Sequence, residues 1–162
     1  MERFLVALEC RQDCEYIIDY LVRVLKGADH CRFELLHILP TASPERLRRE
    51  QIRRIETIHA TRPDLSGYFW EEEDEKAMHR CFGLAKDKLV QAGFKPDAIS
   101  SSFVVESADR AEIILAKAGE LGCSTIVMGR RHPGLVREFL LGSVSTAVMK
   151  SARRFAVWVI EM

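Results

Sequence analysis

No stretch of this 162-residue sequence is apolar for long enough to cross a bilayer. The apolar start, Phe4-Leu5-Val6-Ala7-Leu8, turns polar at Glu9, which is too short for the core of a signal peptide and reads as a first strand. No charge of either sign prevails: 24 Lys and Arg balance 24 Asp and Glu. That balance speaks against a general binder of nucleic acid or membrane surfaces, so neither is expected as a partner. The five cysteines are an odd number without framework spacing, as expected of thiols in a reducing cytoplasm. Cys10 and Cys14, four apart, have no second ligand pair beside them and read as a loop thiol and a helix-entry thiol. There is no Gly-Lys-Ser/Thr phosphate loop, no dinucleotide fingerprint after the first strand, no Gly-x-Ser-x-Gly elbow, no internal repeat and no low-complexity tract.

What is present is a strand–helix rhythm. Arg3–Leu8 reads as a strand, and Asp13 as the N-cap of a helix with Ile17, Ile18, Leu21, Val22 and Leu25 on one stripe, closed by Gly27. Phe33–Leu39 is a second strand, stopped by Pro40. Ser43-Pro44-Glu45 opens an Arg-rich helix with Leu47, Ile52, Ile55 and Ile58 as its apolar stripe, and residues 62–67 read as a loop. Residues 71–92 read as a helix turning Ala77, Met78, Phe82, Leu84, Ala85, Leu89 and Val90 inward. Ile99–Val105 is a third strand, and Asp109 or Ser107 caps the next helix. Thr125–Met128 is a fourth strand, 129–142 a loop, Ser143–Lys150 a helix and Phe155–Ile160 a last strand. This order predicts one α/β domain over residues 1–162: a doubly wound, five-stranded parallel sheet in order 3-2-1-4-5 with helices on both faces. Residues 41–70 break the rhythm as a variable insertion.

In such sheets ligands bind beyond the carboxyl ends of the strands, at the switch in strand order. The segments expected there are Ala7–Cys10, Ile38–Thr41 and Met128–Ser145. The last reads Gly129-Arg130-Arg131-His132-Pro133-Gly134, then Gly142-Ser143-Val144-Ser145. A glycine directly after a buried strand lets the backbone turn sharply and approach a ligand. Gly142-Ser143 opens a helix whose N–H groups and dipole favour a phosphate, with the hydroxyls of Ser143 and Ser145 and the charges of Arg130, Arg131 and Arg137 close by. Glycine and serine at such a junction are also ordinary turn and cap chemistry.

Thr125-Ile126-Val127-Met128-Gly129 followed by Leu140-Leu141-Gly142-Ser143-Val144-Ser145 resembles the signature of ATP-binding universal stress proteins: glycine, two residues, glycine, nine residues, then glycine with Ser or Thr. Gly129 and Gly142-Ser143 keep the separation, while His132 stands where the second glycine belongs. Phe4–Glu9 resembles the family's first strand, with Glu9 in place of the aspartate that meets the nucleotide, and Glu34–Ile38 resembles the second. The resemblance implies that Ile38 lies beside an adenine, that Met128 and Gly129 line the site, and that Gly142–Val144 hold phosphates. It also implies a stress-response regulator or sensor that binds ATP or another adenine nucleotide, with Mg2+ as companion ion and slow hydrolysis at most. The final strand commonly pairs with its copy in this family, so a homodimer through Val157, Trp158, Val159 and Ile160 is expected. The alternative is a dimer of the same fold that binds no nucleotide and works through protein contacts.

No nucleophile has a base at motif spacing. His37, on an apolar strand, reads as a satisfied core histidine, and His30, His59 and His79 do not form a metal set. Arg46, Arg48, Arg49, Arg53 and Arg54 read as a solvated face balanced by Glu71-Glu72-Glu73-Asp74. Tyr68-Phe69-Trp70 either cover the site as a flap or anchor the following helix.

Overall fold

The computed structural model describes residues 1–11, 14–130 and 142–161. Its five strands are β1 (Glu2–Ala7), β2 (Cys31–Leu39), β3 (Ile99–Val105), β4 (Thr125–Arg130) and β5 (Ala156–Glu161). They form one parallel sheet in the order β3-β2-β1-β4-β5, as the rhythm predicts. The helices are α1 (Glu15–Leu25), α2 (Arg49–Thr61), α3 (Glu72–Gln91), α4 (Arg110–Glu120) and α5 (Ser143–Ser151).

Side chains alternate across a strand, so each inner strand supplies two cores. Phe4, Val6, Phe33, Leu35 and Val127 face α1 and α3, where Ile17, Ile18, Leu21, Met78, Ala85 and Leu89 meet them. Leu5, Leu36, Ile38, Ile126 and Met128 face α4 and α5, against Ala111, Ile114, Ala118 and Val148. The chain winds from β1 outward to β3, then crosses to β4 and β5 on the other side. The switch therefore falls between β1 and β4, where Ala7 is level with Met128.

Several local expectations change. The stretch after Ser43 is not one helix: Pro44–Arg46 form a single 3-10 turn, Leu47 is extended and turned inward, and α2 starts afresh at Arg49. The Arg48 N–H donates to Gln51 Oε1 at 3.0 Å, which supplies half of a capping box. Val90 is exposed and Cys81 takes an inward place instead, because the buried stripe of α3 runs through Ala77, Met78, Cys81, Ala85 and Leu89. Asp109 caps α4, accepting from the N–H of Ala111 at 2.9 Å and of Glu112 at 3.4 Å. Cys14 occupies the N-cap of α1, and the expected cap Asp13 lies outside the described residues.

Trp70 is fully buried and anchors α3 rather than forming a flap. Its Nε1–H donates to Glu75 Oε2 at 2.8 Å, and Arg54 grips the same carboxylate at 2.8 and 3.1 Å. Arg48 and Gln51 hold Glu72 at 3.3 and 3.2 Å. The arginine face of α2 is thus balanced in part by α3, and residues 41–70 are fastened to the fold at that seam.

Candidate nucleotide pocket

Strand β4 runs two residues further than its apolar pattern suggests. Gly129 and Arg130 stay in the ladder, level with Ile160 and Glu161 of β5. Gly129 therefore makes no sharp turn. A cavity of about 230 Å³ opens beyond the carboxyl ends of β1, β2 and β4. Ala7 and Glu9 enter from the end of β1, Ile38 from β2, and Met128 and Gly129 from β4. Gly142, Ser143, Val144 and Ser145 close it from the start of α5. These nine expected site residues thus share one cavity, while Arg131, His132 and Arg137 lie outside the described residues.

Leu8 and Arg130 also line it, within the segments expected there, whereas Cys14, Ile17, Leu36, His37, Arg110 and Ile114 were not assigned to the site from the sequence. His37 is buried, as a core histidine should be, and it also lines the cavity. Its Nδ1 lies 2.8 Å from the Leu8 carbonyl oxygen. A carbonyl can only accept, so Nδ1 carries the proton and Nε2 is the acceptor of the neutral ring. No local signal marks His37 as a pocket residue, because its place there depends on β2 lying beside β1.

Charge at the site is concentrated in one network. Arg110, the first residue of α4, forks onto Glu106 at 3.0 and 3.3 Å and reaches Glu9 Oε2 at 3.2 Å. The hydrogen bond to Glu106, with the charges of Glu106 and Glu9, holds the guanidinium above its ordinary range against the opposing effect of burial. Glu9 is thus an acceptor already shared with an arginine. Across the cavity, Arg130 Nε is buried and has no hydrogen-bond partner among the described residues. A buried N–H donor without a partner costs about 1–3 kcal/mol, so a ligand acceptor there would recover a real cost.

The α5 end completes the wall. The first N–H groups of a helix have no partner within it, and Gly142 at the N-cap brings no capping side chain. Gly142 has φ −51°, open to any residue, and a Cβ built on it would meet nothing within 4 Å. Nothing in the described fold requires glycine there. Among the described residues no group of three His, Cys, Asp or Glu side chains is placed to hold a metal ion.

The sequence matches the model of the universal stress protein family over residues 1–160. The chain belongs to the universal stress protein family. Solved structures agree on the fold. A family protein from Burkholderia pseudomallei superposes with a TM-score of 0.64 at 19% identity, covering 98% of this chain and 95% of that one. The universal stress protein of Archaeoglobus fulgidus in complex with dAMP gives 0.62 at 17%, covering 99% and 98%. An Arabidopsis thaliana family protein with AMP bound gives 0.62 at 14%, covering 99% and 92%. No curated protein matches the sequence. As a universal stress protein the chain keeps the family's parallel sheet, and no described helix is long and apolar enough to cross a membrane.

Proposed function

We propose that this universal stress protein is a cytoplasmic stress-response regulator that binds an adenine nucleotide, ATP, ADP or AMP, in the cavity between β1, β2, β4 and α5. The observation that carries the reading is the gathering of Ala7, Ile38, Met128 and the Gly142–Ser145 helix start around one cavity, with an Arg130 donor that has no partner among the described residues. The apolar walls accept a flat base, and the α5 N–H groups accept phosphate oxygens. The dAMP and AMP held by the Archaeoglobus and Arabidopsis relatives support the same class of ligand. Mg2+ would accompany a triphosphate through phosphate oxygens and water, since the described residues offer no cage of their own. Among the described residues His37 is the one histidine that lines the cavity, and its Nδ1 is committed to Leu8, which fits binding with slow hydrolysis at most.

Binding is expected to be weak, with a dissociation constant on the order of micromolar to sub-millimolar, or about 4–8 kcal/mol. The reason is that Glu9 must share its carboxylate with Arg110. Titration calorimetry with ATP, ADP and AMP tests it. Absence of both heat and thermal shift for all three removes the reading and leaves a dimer that acts through protein contacts.

A further inference from the structure

The two ring nitrogens of His37 have different surroundings. Only 3% of the residue is exposed, yet it borders the candidate pocket. Its Nδ1–H donates to the Leu8 carbonyl oxygen at 2.8 Å, which leaves Nε2 with a lone pair. Nε2 has no partner among the described residues. It is not sealed in either, because the one fully buried side-chain nitrogen without a partner among the described residues is Arg130 Nε. The open space that His37 borders is the cavity, so Nε2 faces into it.

The order of the sheet gives the cavity two ends. The phosphate end lies at β4 and α5, with Arg130 and the helix start at Gly142–Ser145. His37 stands on β2, and β1 lies between β2 and β4. Two strand spacings, roughly 10 Å, therefore separate the histidine from the phosphate end. Ile17, Leu36, Ile38 and Ile114 give the cavity apolar walls. Glu9 and Arg110 also line it, but they are bonded to each other.

Apolar walls accept any flat base and cannot choose among purines. A single acceptor can choose. The amino group at position 6 of adenine donates to it. Hypoxanthine and guanine carry a carbonyl oxygen at that position, whose lone pairs would face the lone pair of Nε2. The Leu8 contact keeps the ring from adapting, since a proton moved to Nε2 would leave a bare Nδ1 against a carbonyl oxygen.

We propose that His37 selects the base, its Nε2 accepting a hydrogen bond from the amino group of a 6-aminopurine. The inference rests on the nucleotide reading of the cavity and adds to it the side chain that tells adenine from 6-oxopurines. Nδ1 holds the ring to the end of β1, and Nε2 reads the ligand.

The test is titration calorimetry on the full chain at one mildly alkaline pH with three ligands. They are AMP, purine riboside 5′-monophosphate, which lacks the amino group, and IMP, which has an oxygen in its place. Wild type is expected to bind AMP about 3–10-fold tighter than purine riboside monophosphate and about 10–100-fold tighter than IMP. His37→Asn keeps an N–H for the Leu8 carbonyl but has no acceptor at the Nε2 position. It should lose affinity for AMP and bind all three ligands within about 3-fold of one another. A second measurement needs no folded variant: in wild type labelled with 15N-histidine, AMP should move the His37 Nε2 resonance upfield and purine riboside monophosphate should not. Equal wild-type affinity for AMP and purine riboside monophosphate overturns the role of His37 and leaves the nucleotide reading standing. So does an unmoved Nε2 resonance under saturating AMP, or a folded His37→Asn that keeps the wild-type preference. No binding of any of the three ligands removes the nucleotide reading and this inference with it.

Discussion

Glu9 Oε2 lies 3.2 Å from a guanidinium nitrogen of Arg110, joining the end of β1 to the start of α4 at the wall of the candidate pocket. The extra methylene of glutamate matters at this contact. Glu9→Asp would draw the carboxylate back from Arg110, which keeps its fork on Glu106. Both groups are partly exposed, so the pair contributes about 1 kcal/mol at most and the variant should remain as stable as wild type within that range. Adenine-nucleotide affinity should rise by roughly 2–5-fold, as an acceptor is released to the ligand. Parallel calorimetric titrations measure it, and unchanged or weaker binding contradicts it.

Gly142→Val separates folding from binding. The backbone angle at this residue suits any side chain and its Cβ direction is open, so the melting temperature should fall by only a few degrees, reflecting a cost of about 1 kcal/mol at the N-cap. Nucleotide heat should vanish, because the branched side chain stands where phosphate approaches the α5 N–H groups. A variant that still binds normally would show that this helix start is only a cap.

The seam between α2 and α3 is a stability element remote from the pocket. Trp70→Phe leaves Glu75 with Arg54 but removes the indole donor, and should cost about 1–3 kcal/mol. Trp70→Ala adds a large cavity and should cost about 3–5 kcal/mol. Urea unfolding followed by circular dichroism reads both. Equal costs for the two variants would mean that packing volume does not matter at this buried site.

Cys123 gives the fold an alkaline limit. Burial first, then the charge of Glu34, pushes its thiol up to about 11, with Arg3 opposing. The folded value lies above the unfolded one, so this contribution to stability is full below pH of about 9 and is lost as pH rises to about 11. Unfolding midpoints of wild type and Cys123→Ala should converge across that window. A constant difference would show that the folded thiolate is tolerated.

The β5 edge is expected to be covered by a second copy. Val157, Trp158 and Val159 are only partly buried, and among the described residues β5 pairs with β4 alone. Trp158 itself is held within the chain, its ring centroid 5.4 Å from that of Phe4 and 6.5 Å from that of Tyr20. Sedimentation at micromolar concentration should show a dimer, and Val159→Lys should dissociate it with its circular dichroism unchanged. A wild-type monomer at that concentration refutes the expectation.

The strands, helices and strand order could be read from the sequence because each rests on a local period. Apolar runs bounded by Gly, Pro and Asp mark the strands, stripes such as Ile17, Ile18 and Leu21 mark the helices, and parallel strands joined by helices leave few ways to wind. The position of the pocket follows, since the switch in strand order carries Ala7, Met128 and the Gly142–Ser145 segment to one end of the sheet. The identity of the groups that tune that pocket does not follow. Glu9 and Arg110 lie 101 positions apart, and His37 meets Leu8 across two strands. Those pairings depend on how finished elements sit against one another. A hydrophobic period determines which face of an element is buried, whereas the polar partner waiting on the opposing element is set only when both are packed.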